Sequence, residues 1–487
     1  MNHAAVDAVR LKANTELDPD RKAELGQFMT PSVTAVFMAE LFSEPCKPVR
    51  LLDPGAGIGS LSAAFLDRFK SSEIFAEEWE VDPVMRRFLS ENLEKYEFRY
   101  PNIKVRIFDE DFIQGAVKNL VENQGSRFTH AILNPPYAKI NSKSEHRFLL
   151  RQVGIETVNL YTAFVALTIL LMEQGGEIVA IIPRSFCNGT YYRPFRQLLL
   201  NQCSIHQIHL FESRRKAFKD DDVLQENIII HLVKGGYQGP VTITTSHGPQ
   251  FDAIEKKEYP FGEIVKLGDE ESFIHIPTHA APRTVSPLFC KTLNEIGIEV
   301  CTGPVVDFRL KEDTRKLMEP GTVPLLYAHH FQKGVLAWPN MQHKKPNAIC
   351  ISAASERWLM PAGWYVIVKR FSSKEEKRRI VAYVVDPSEL PGELIGFENH
   401  WNVFHSRKAG LDQTLAFGLA AFLNSTVVDN HFRVFSGHTQ VNATDLRTMK
   451  YPTRDELLEL GRLAGKPPQP QQALDAIMEQ LEGRYGN

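Results

Sequence analysis

The sequence predicts a doubly wound α/β sheet in the first half of the chain and a separate α+β domain in the second half. Short apolar stretches alternate with helical patterns between residues 49 and 234, and a glycine-rich turn follows the first stretch. After residue 239 this alternation stops, and short extended segments with frequent prolines replace it. Alternating strands and helices of this length form a mostly parallel sheet with right-handed crossovers.

The length and charge of the chain limit the classes of protein to consider. A chain of 487 residues is long enough for two or three domains. Its net charge of −3 excludes a uniformly basic nucleic-acid-binding protein, so any such surface must be local. The six cysteines are scattered without metal-binding spacing, so we expect no metal site and reduced thiols in a cytoplasm. The longest apolar run, 160–172, is too short for a membrane span and predicts a buried helix.

Three regions are predicted from these patterns. Residues 1–25 form a polar, amphipathic helical lead-in, residues 26–237 form the α/β domain, and residues 240–487 form the second domain. A helix is predicted from Val33 to Phe42, and Thr30, before Pro31, offers a free hydroxyl at its start.

The glycine-rich turn is the first candidate ligand site. It follows the predicted strand 49–52 and contains Asp53, Gly55, Gly57 and Gly59. Glycines let the backbone approach a ligand closely. The GxGxG spacing after an acid differs from the GxGxxG of pyrophosphate binders, which favours a ligand with an amino group within reach of Asp53. The alternative is a turn with a purely structural role.

Two more acidic residues follow the next two predicted strands. Glu80 comes after the strand in EIFAEEWEVDP, a position from which an acid accepts hydrogen bonds from ribose hydroxyls. Asp111 and Phe112 follow the strand 104–108 and offer an acid and an aromatic ring to an adenine. Asp111 as an ordinary solvated loop acid remains the alternative.

The stretch Asn134-Pro135-Pro136-Tyr137 is the strongest candidate for chemistry. It follows the buried strand predicted at 130–133, and its prolines end the strand along a stiff path. An amide oxygen, a backbone carbonyl and an aromatic ring held together suit a planar ring with an exocyclic amino group. The alternative is an ordinary proline turn at the end of a strand.

Three further strands, 177–182, 205–211 and 226–234, bring the predicted sheet to about seven strands. The loop before the last strand contains a basic cluster at 214–216 and Phe218. Because this loop lies at the same sheet edge as Asn134, Phe218 is either a local packing anchor or a cover for the second face of the same planar ring.

Basic and aromatic residues are interleaved in the second domain, a pattern that suits a nucleic-acid surface. The alternative is a solvated charged surface around an ordinary aromatic core. The residues concerned are Lys369, Arg370, Lys374 to Arg379, Arg407, Lys408 and Arg433, with Trp358, Trp364, Tyr365, Phe371, Trp401 and Phe404.

Taken together, the motifs resemble a known family of enzymes. DPGAGIG, Glu80, Asp111 and NPPY, in this order, resemble the S-adenosylmethionine-dependent amino-methyltransferases, whose fold is a Rossmann-like seven-stranded sheet. GQFMTP before the turn is similar to the gamma class of adenine-N6 DNA methyltransferases. FSGHTQVNATDLR and VKRFSSKEEKRR are similar to the modification methylases of the PstI/BsuBI group, from type II restriction–modification systems.

The resemblance implies S-adenosylmethionine as cofactor and a role for each matching residue. The cofactor's methionine end would contact Thr30, Pro31, Asp53, Gly55, Ala56, Gly57 and Asn134. Glu80 would hold its ribose, and Asp111 and Phe112 its adenine. Asn134 and the Pro135 carbonyl would accept hydrogen bonds from the target amine in the turn completed by Pro136, with Tyr137 and Phe218 stacking on the flipped base.

The resemblance also implies partners and leaves alternatives. Double-stranded DNA is the expected substrate, a separately encoded restriction endonuclease the expected companion, and a monomer without membrane attachment the expected form. Because methylases of RNA and of protein glutamine share NPPY, they remain the nearest alternative. A DNA-binding module without catalysis is disfavoured by the intact motifs. A fused nuclease is rejected because the sequence around 255–257 lacks a preceding acid at suitable spacing.

Overall fold

The computed structural model describes residues 3–16, 29–123, 127–141, 143–211, 226–246, 251, 253–277, 286–372, 376–435 and 440–485. The chain divides into two compact units, Met1–Pro277 and Thr278–Asn487. Within the described part of the chain, no helix is both long and apolar enough to cross a membrane.

The first unit alternates strands and helices, as the sequence predicted. Its helices are α1 (His3–Glu16), α2 (Ser32–Glu40), α3 (Ser60–Arg68), α4 (Pro83–Arg99), α5 (Phe112–Val121), α6 (Glu145–Gln152), α7 (Leu160–Leu171), α8 (Arg193–Gln202) and α9 (Phe261–Ile264). Its strands are β1 (Val49–Pro54), β2 (Ile74–Trp79), β3 (Ile103–Phe108), β4 (Phe128–Leu133), β5 (Met172–Pro183), β6 (Cys203–Phe211), β7 (Asn227–Lys234), β8 (Val241–Ser246) and β9 (Ile254–Tyr259).

These strands form one mixed sheet in the order β3-β2-β1-β4-β5-β7-β6-β8-β9. The first five in that order pair in parallel, and β7 runs antiparallel between β5 and β6. β1 and β4 are neighbours although three helices and two strands separate them along the chain. The chain therefore leaves the sheet in opposite directions at β1 and β4, and ligands of open α/β sheets bind beyond the strand ends at such a point.

The sheet extends beyond the predicted end of the first domain. β8 pairs in parallel with β6, and β9 pairs antiparallel with β8. The first compact unit consequently ends at residue 277, and the boundary predicted at 237–240 lies inside it. The alternation of strand and helix does stop at residue 239, but a strand hairpin continues the same sheet.

Helices cover both faces of this sheet. On one face, α7 packs its apolar residues against β4, β5 and β7 in the larger core. On the other, α2, α3 and α4 pack against β1, β2 and β3. The lead-in helix α1 is tied to the start of α2, because Asp7 accepts hydrogen bonds from the amide and the hydroxyl of Ser32.

The second unit combines small sheets with helices, which agrees with the predicted α+β class. Its strands are β10 (Glu299–Thr302), β11 (Thr314–Arg315), β12 (Thr322–Leu326), β13 (Phe331–Gln332), β14 (Val335–Leu336), β15 (Ala348–Cys350), β16 (Leu359–Pro361), β17 (Tyr365–Lys369), β18 (Ala382–Val385), β19 (Leu394–Phe397) and β20 (Trp401–His405). Its helices are α10 (Gln413–Leu423), α11 (Thr426–Phe435), α12 (Ala443–Thr448), α13 (Arg454–Ala464) and α14 (Gln471–Glu482). The sheets have the orders β10-β20-β17-β18, β11-β15-β12-β19-β16 and β13-β14.

Candidate active site

A cleft of about 1000 Å³, partly open to solvent, lies beyond the carboxyl ends of β1, β2 and β4. The turns that leave these strands supply most of its wall. The lining residues are Met29, Thr30, Gly55, Ala56, Gly57, Ile58, Ser60, Leu61, Trp79, Glu80, Val81, Met85, Glu110, Asp111, Phe112, Asn134, Pro136, His146, Leu160 and Phe164.

The glycine turn after β1 needs glycine for its backbone. Gly55, Gly57 and Gly59 have φ angles of +77°, +59° and +81°, which side chains with a Cβ rarely adopt. A Cβ on Gly59 would also lie 2.8 Å from Leu89, whereas a Cβ on Gly57 would meet no heavy atom within 4 Å. The turn therefore leaves open space over Gly57, as a close-fitting cofactor requires.

Glu80 is held rigidly on the cleft wall beyond the end of β2. Its two carboxyl oxygens accept hydrogen bonds from the Gly57 amide at 2.9 Å and the Asp82 amide at 2.7 Å. Burial raises the pKa of Glu80 to about 7, against the lowering effect of these bonds. Each carboxyl oxygen accepts more than one hydrogen bond, so the group suits a ligand with neighbouring hydroxyls.

Asp111 caps α5 and contacts a histidine that the sequence analysis did not single out. One oxygen accepts from the Gln114 amide at 3.0 Å, and the other lies 3.2 Å from His146 Nε2. Burial acts to raise the pKa of Asp111, but the hydrogen bonds from His146 and Gln114 outweigh it and lower the pKa. The bond to Asp111 raises the pKa of His146. The cleft thus contains a carboxylate–imidazole pair.

Asn134, directly after β4, is fixed by bonds to its side chain from two directions. Its Nδ2 donates to Thr30 Oγ1 at 2.9 Å, and its Oδ1 accepts from the Tyr137 hydroxyl at 3.0 Å. The amide therefore has one orientation, with Oδ1 on the side of Tyr137.

Tyr137 is buried next to Asn134 and does not line the cleft. Its side chain is 9% exposed, its ring meets Tyr161 edge-on at 6.2 Å, and its hydroxyl also lies 3.3 Å from the Ile181 carbonyl in β5. Burial raises the pKa of the Tyr137 hydroxyl. In this conformation Tyr137 orients Asn134 and does not present a ring face for stacking.

Asp53 is buried under the turn and does not reach the cleft. It is the cross-strand partner of Glu78, and Ser62 Oγ lies 2.8 Å from a carboxyl oxygen of each. Burial raises the pKa of Asp53 to about 7 and the pKa of Glu78 well above its usual value. Since the Ser62 hydroxyl has one proton to donate, at least one of the two acids must be protonated to complete the second bond.

Most residues predicted for the site line the cleft: Thr30, Gly55, Ala56, Gly57, Glu80, Asp111, Phe112, Asn134 and Pro136. Pro31, Asp53, Pro135 and Tyr137 do not. Pro31 starts α2 through its carbonyl, and Pro135 is buried within its turn. Phe218 lies outside the described residues, as does the basic cluster 214–216.

Several cleft residues were not predicted from the sequence, because the spacing of an apolar residue does not distinguish a ligand contact from ordinary core packing. Phe164 of α7 is one of them, and Trp79 is another. Trp79 stacks on Phe108 at 4.3 Å and meets Gly115, where a Cβ would come within 2.4 Å of the indole. His146 lies in the polar stretch after NPPY, and its position there was the one signal that could have suggested it.

In the second unit, much of the basic and aromatic pattern proves to be structural. Trp401 and Tyr365 are fully buried in the core. Arg379 is 1% exposed, Arg378 donates to the Ser425 carbonyl, and Arg433 pairs with Asp429. These arginines hold the chain around α11 together. Other members of the predicted set, among them Phe371, Arg407 and Lys408, are exposed, so only part of the pattern is internal.

The fold and the cleft define a class of protein. A sheet in which β7 runs antiparallel between β5 and β6, with a glycine turn after β1 and a ligand cleft beyond β1 and β4, is that of the class I S-adenosylmethionine-dependent methyltransferases. This confirms the predicted fold class.

The chain belongs to the family of type II methyltransferases. It is 54% identical over 469 residues to the type II methyltransferase M.BsuBI of Bacillus subtilis, covering 94% of this chain and 93% of that one. It is 43% identical to M.PstI of Providencia stuartii, covering 98% and 96% of the two chains. Residues 64–218 match the Eco57I restriction-modification methylase family. The predicted relationship to this group is therefore confirmed.

A solved structure shares the fold at low identity. The DrdV–DNA complex, determined by electron cryomicroscopy, matches with a TM-score of 0.53 and 11% identity. The match covers 91% of this chain and 57% of that chain. At this identity the likeness supports the fold alone.

Proposed function

We propose that the protein transfers a methyl group from S-adenosylmethionine to the N6 amino group of an adenine in a specific duplex DNA sequence. The observation that carries this proposal is the Asn134 amide, fixed on the cleft wall between Thr30 and Tyr137. The relatives M.BsuBI and M.PstI, which match over nearly the whole chain, are named type II methyltransferases. The similarity to these two methyltransferases supports an activity on DNA.

The residues of the cleft fit S-adenosylmethionine. The open space over Gly57 admits a ligand against the turn, and the carboxyl of Glu80 suits its ribose hydroxyls. Asp111 and Phe112 offer an acceptor and a ring face for its adenine. When bound, the cofactor supplies a methyl group on a positively charged sulfur. Asp53 acts indirectly, by holding the turn from below with Ser62.

Asn134 is proposed to prepare the target amine. The lone pair of an aromatic amine is conjugated into its ring, so the nitrogen is a weak nucleophile. Hydrogen bonds accepted by Asn134 Oδ1 and by the Pro135 carbonyl favour a pyramidal nitrogen whose lone pair points out of the ring plane. They also stabilise the positive charge that develops on the amine. No strong general base is needed for this step.

The target base must leave the duplex to reach the cleft, at a cost of a few kcal/mol. Aromatic contacts offset that cost. Stacking by Tyr137 requires its ring to move out of the buried position, since only 9% of it is exposed. Phe218 remains a proposal for the second face of the base.

The wider setting follows from the family. Methylation at a specific sequence would protect DNA from a separately encoded restriction endonuclease that cuts the same sequence. The second unit would select the sequence, and the enzyme would act as a monomer, because one strand is modified at each visit. The alternative substrates are RNA and protein glutamine. The two curated relatives disfavour both, because each matches the chain through the second unit.

A substrate comparison tests this function. The purified chain is incubated with radiolabelled S-adenosylmethionine and, separately, with duplex DNA containing all short sequences, total RNA, or an unfolded protein mixture. We expect label in DNA alone, on adenine. Label in RNA or protein without label in DNA would reject the proposal. The Asn134→Ala variant is tested in the same labelling assay and in a separate cofactor-binding assay. We expect it to bind the cofactor and to leave all substrates unlabelled.

A further inference from the structure

One surface of the second unit combines positive charge with a preorganised loop. No aspartate or glutamate occurs between Pro320 and Ser355, although the chain contains 59 of them. The same stretch contains three lysines and three histidines. Its middle is a loop, residues 338–346, that connects β14 to β15. A basic sequence stretch without acids, in a protein of net charge −3, favours a polyanionic partner.

The buried side chain of Asn347 holds both ends of this loop. Its Oδ1 accepts from the Asn340 amide at 2.8 Å, and its Nδ2 donates to the Lys316 carbonyl at 2.9 Å. The Asn347 backbone carbonyl accepts from the Trp338 indole at 2.9 Å. Asn347, at the end of the loop, is therefore bonded to the start of the loop and to the segment at Lys316.

His330, in a defined tautomer, also bonds to the Asn347 side chain. We call this pair the Asn347 anchor. Its Nδ1 accepts a hydrogen bond from the Tyr327 amide, so the proton must lie on Nε2, which donates to Asn347 Oδ1 at 2.8 Å. Burial lowers the pKa of His330 and favours this neutral form. The anchor therefore keeps its hydrogen bonds at neutral pH.

The flanks of the loop are fixed as well. The ammonium of Lys316 donates to the backbone carbonyls of His343 and Lys345. Lys345 pairs with Asp307 at 2.6 Å and lies over the Tyr327 ring. The His343 ring stacks on His329 at 3.8 Å. These contacts order the loop before any partner arrives, which reduces the entropic cost of binding.

What the loop presents to solvent is a row of four exposed side chains. Met341, Gln342, His343 and Lys344 are consecutive and all exposed. They comprise an apolar side chain, an amide, an imidazole and an ammonium group. The ammonium group, that of Lys344, has no ion-pair partner among the described residues. A side-chain amide matches the N6 and N7 edge of adenine, a cation matches O6 and N7 of guanine, and an apolar tip matches the thymine methyl.

We propose that residues 341–344 read base edges in the major groove of the duplex target. This rests on the proposed activity on DNA and names the element that selects the sequence. The major groove is wide enough for such a loop, and Lys344 supplies charge opposite to that of the phosphates. The anchor at Asn347 fixes the register of the four side chains.

The test uses the full-length protein with Gln342→Ala and Lys344→Gln, and Lys450→Gln as control. Lys450 is an exposed lysine of the same unit outside the loop, so its substitution removes the same charge. Two readouts are taken for each variant. One is the set of sequences methylated in a host genome, and the other is competition between duplexes for binding, which does not depend on transfer.

We expect Gln342→Ala to lose discrimination at one base pair of the target by roughly tenfold or more. Lys344→Gln should also lose discrimination at one base pair or reduce the salt dependence of duplex binding by about one counterion. Lys450→Gln should do neither. Unchanged discrimination in Gln342→Ala, or equal effects of Lys344→Gln and Lys450→Gln, would overturn the proposal.

The two proposals fail in different ways. If the wild-type protein methylates no DNA, the proposed function is rejected by the methylation readout. The loop is then judged by duplex competition, where selective binding lost in Gln342→Ala supports it and absence of selective binding in the wild type rejects it. Equal thermal unfolding midpoints, expected because the substituted side chains are exposed, exclude misfolding as a cause.

Discussion

Asn134 donates a hydrogen bond of 2.9 Å to Thr30, 104 residues earlier in the chain. This bond joins the segment before α2 to the turn after β4 across the cleft. With the bond from Tyr137, it determines which way the Asn134 carbonyl faces. The nitrogen of the Asn134 amide is thus a donor to Thr30, and its oxygen is an acceptor from Tyr137.

Replacing Thr30 by valine tests this orientation. Valine keeps the shape and removes the hydroxyl, so the Asn134 amide loses its hydrogen bond to Thr30. A hydrogen bond contributes about 1 kcal/mol, and we expect the single-turnover rate of methyl transfer at saturating cofactor to fall about five- to tenfold. Thr30→Ser keeps the hydroxyl and should retain most of the rate. Equal rates for the two variants would contradict the role of this bond.

The buried acids Asp53 and Glu78 predict a pH-dependent stability. Both pKa values are raised in the folded state, so the folded protein holds more protons than the unfolded chain. The free energy of unfolding should therefore fall as pH rises from about 4 through 7 and beyond.

Glu78→Gln removes one of these titrating groups and gives Ser62 and Asp53 an amide partner. We expect the variant to gain stability relative to wild type between pH 5 and pH 8.5, measured by denaturant unfolding at each pH. Glu73→Gln is the control, because the Glu73 side chain is exposed and is not the partner of Ser62. A difference between wild type and Glu78→Gln that does not change with pH would be inconsistent with a shared proton.

The Asp111–His146 pair predicts a contribution to stability that is largest at intermediate pH and falls on both sides. The raised pKa of His146 means that its contribution is complete below pH 6.5 and is lost as pH rises through the folded value. The lowered pKa of Asp111 means that its contribution is lost as pH falls below about 3.8.

The difference in unfolding free energy between wild type and His146→Gln should therefore be largest between about pH 4 and 6.5 and smaller at pH 9. Added salt should reduce it, because the pair is partly exposed. Cofactor titrations of the same variant report whether the pair also affects the adenine pocket. A difference that grows toward alkaline pH would show that the pair does not form.

The unit boundary predicts how the chain can be shortened. A fragment ending at residue 277 retains β8 and β9, whereas one ending at 239 exposes the edge of β6 and removes the buried Val241 and Ile243. We expect cooperative unfolding and cofactor binding from the first fragment and neither from the second, by calorimetry. Comparable behaviour of the two fragments would mean that β8 and β9 are dispensable.

The sequence predicted the sheet because its strands are buried and regularly spaced. Strands β1 to β7 lie within a few residues of their predicted positions, with the glycine turn and NPPY at the expected ends. β8 was predicted as a short strand of the second domain and β9 was not predicted, because no helix precedes them and their residues alternate with polar ones. Pairing with β6 supplies the partner that a local pattern cannot reveal.

Side-chain direction was harder to predict than position. Asp53 ends β1 as expected, but its carboxyl turns into the sheet toward Glu78 and away from the cleft. Tyr137 follows Asn134 as expected, but its hydroxyl is directed to Asn134 and Ile181. In the second unit, residues such as Arg379 and Trp401 are interior despite their polar or interfacial character. Such outcomes depend on contacts between residues distant in sequence.

The central claim, that Asn134 serves methyl transfer to adenine, is tested most directly by nucleoside mass spectrometry. DNA is taken from a host without adenine methylation that expresses either the wild-type chain or Asn134→Ala, with equal amounts of folded protein verified. We expect N6-methyladenine in the wild-type sample and background levels in the variant. Absence of N6-methyladenine from the wild-type sample, or equal amounts in both, would contradict it.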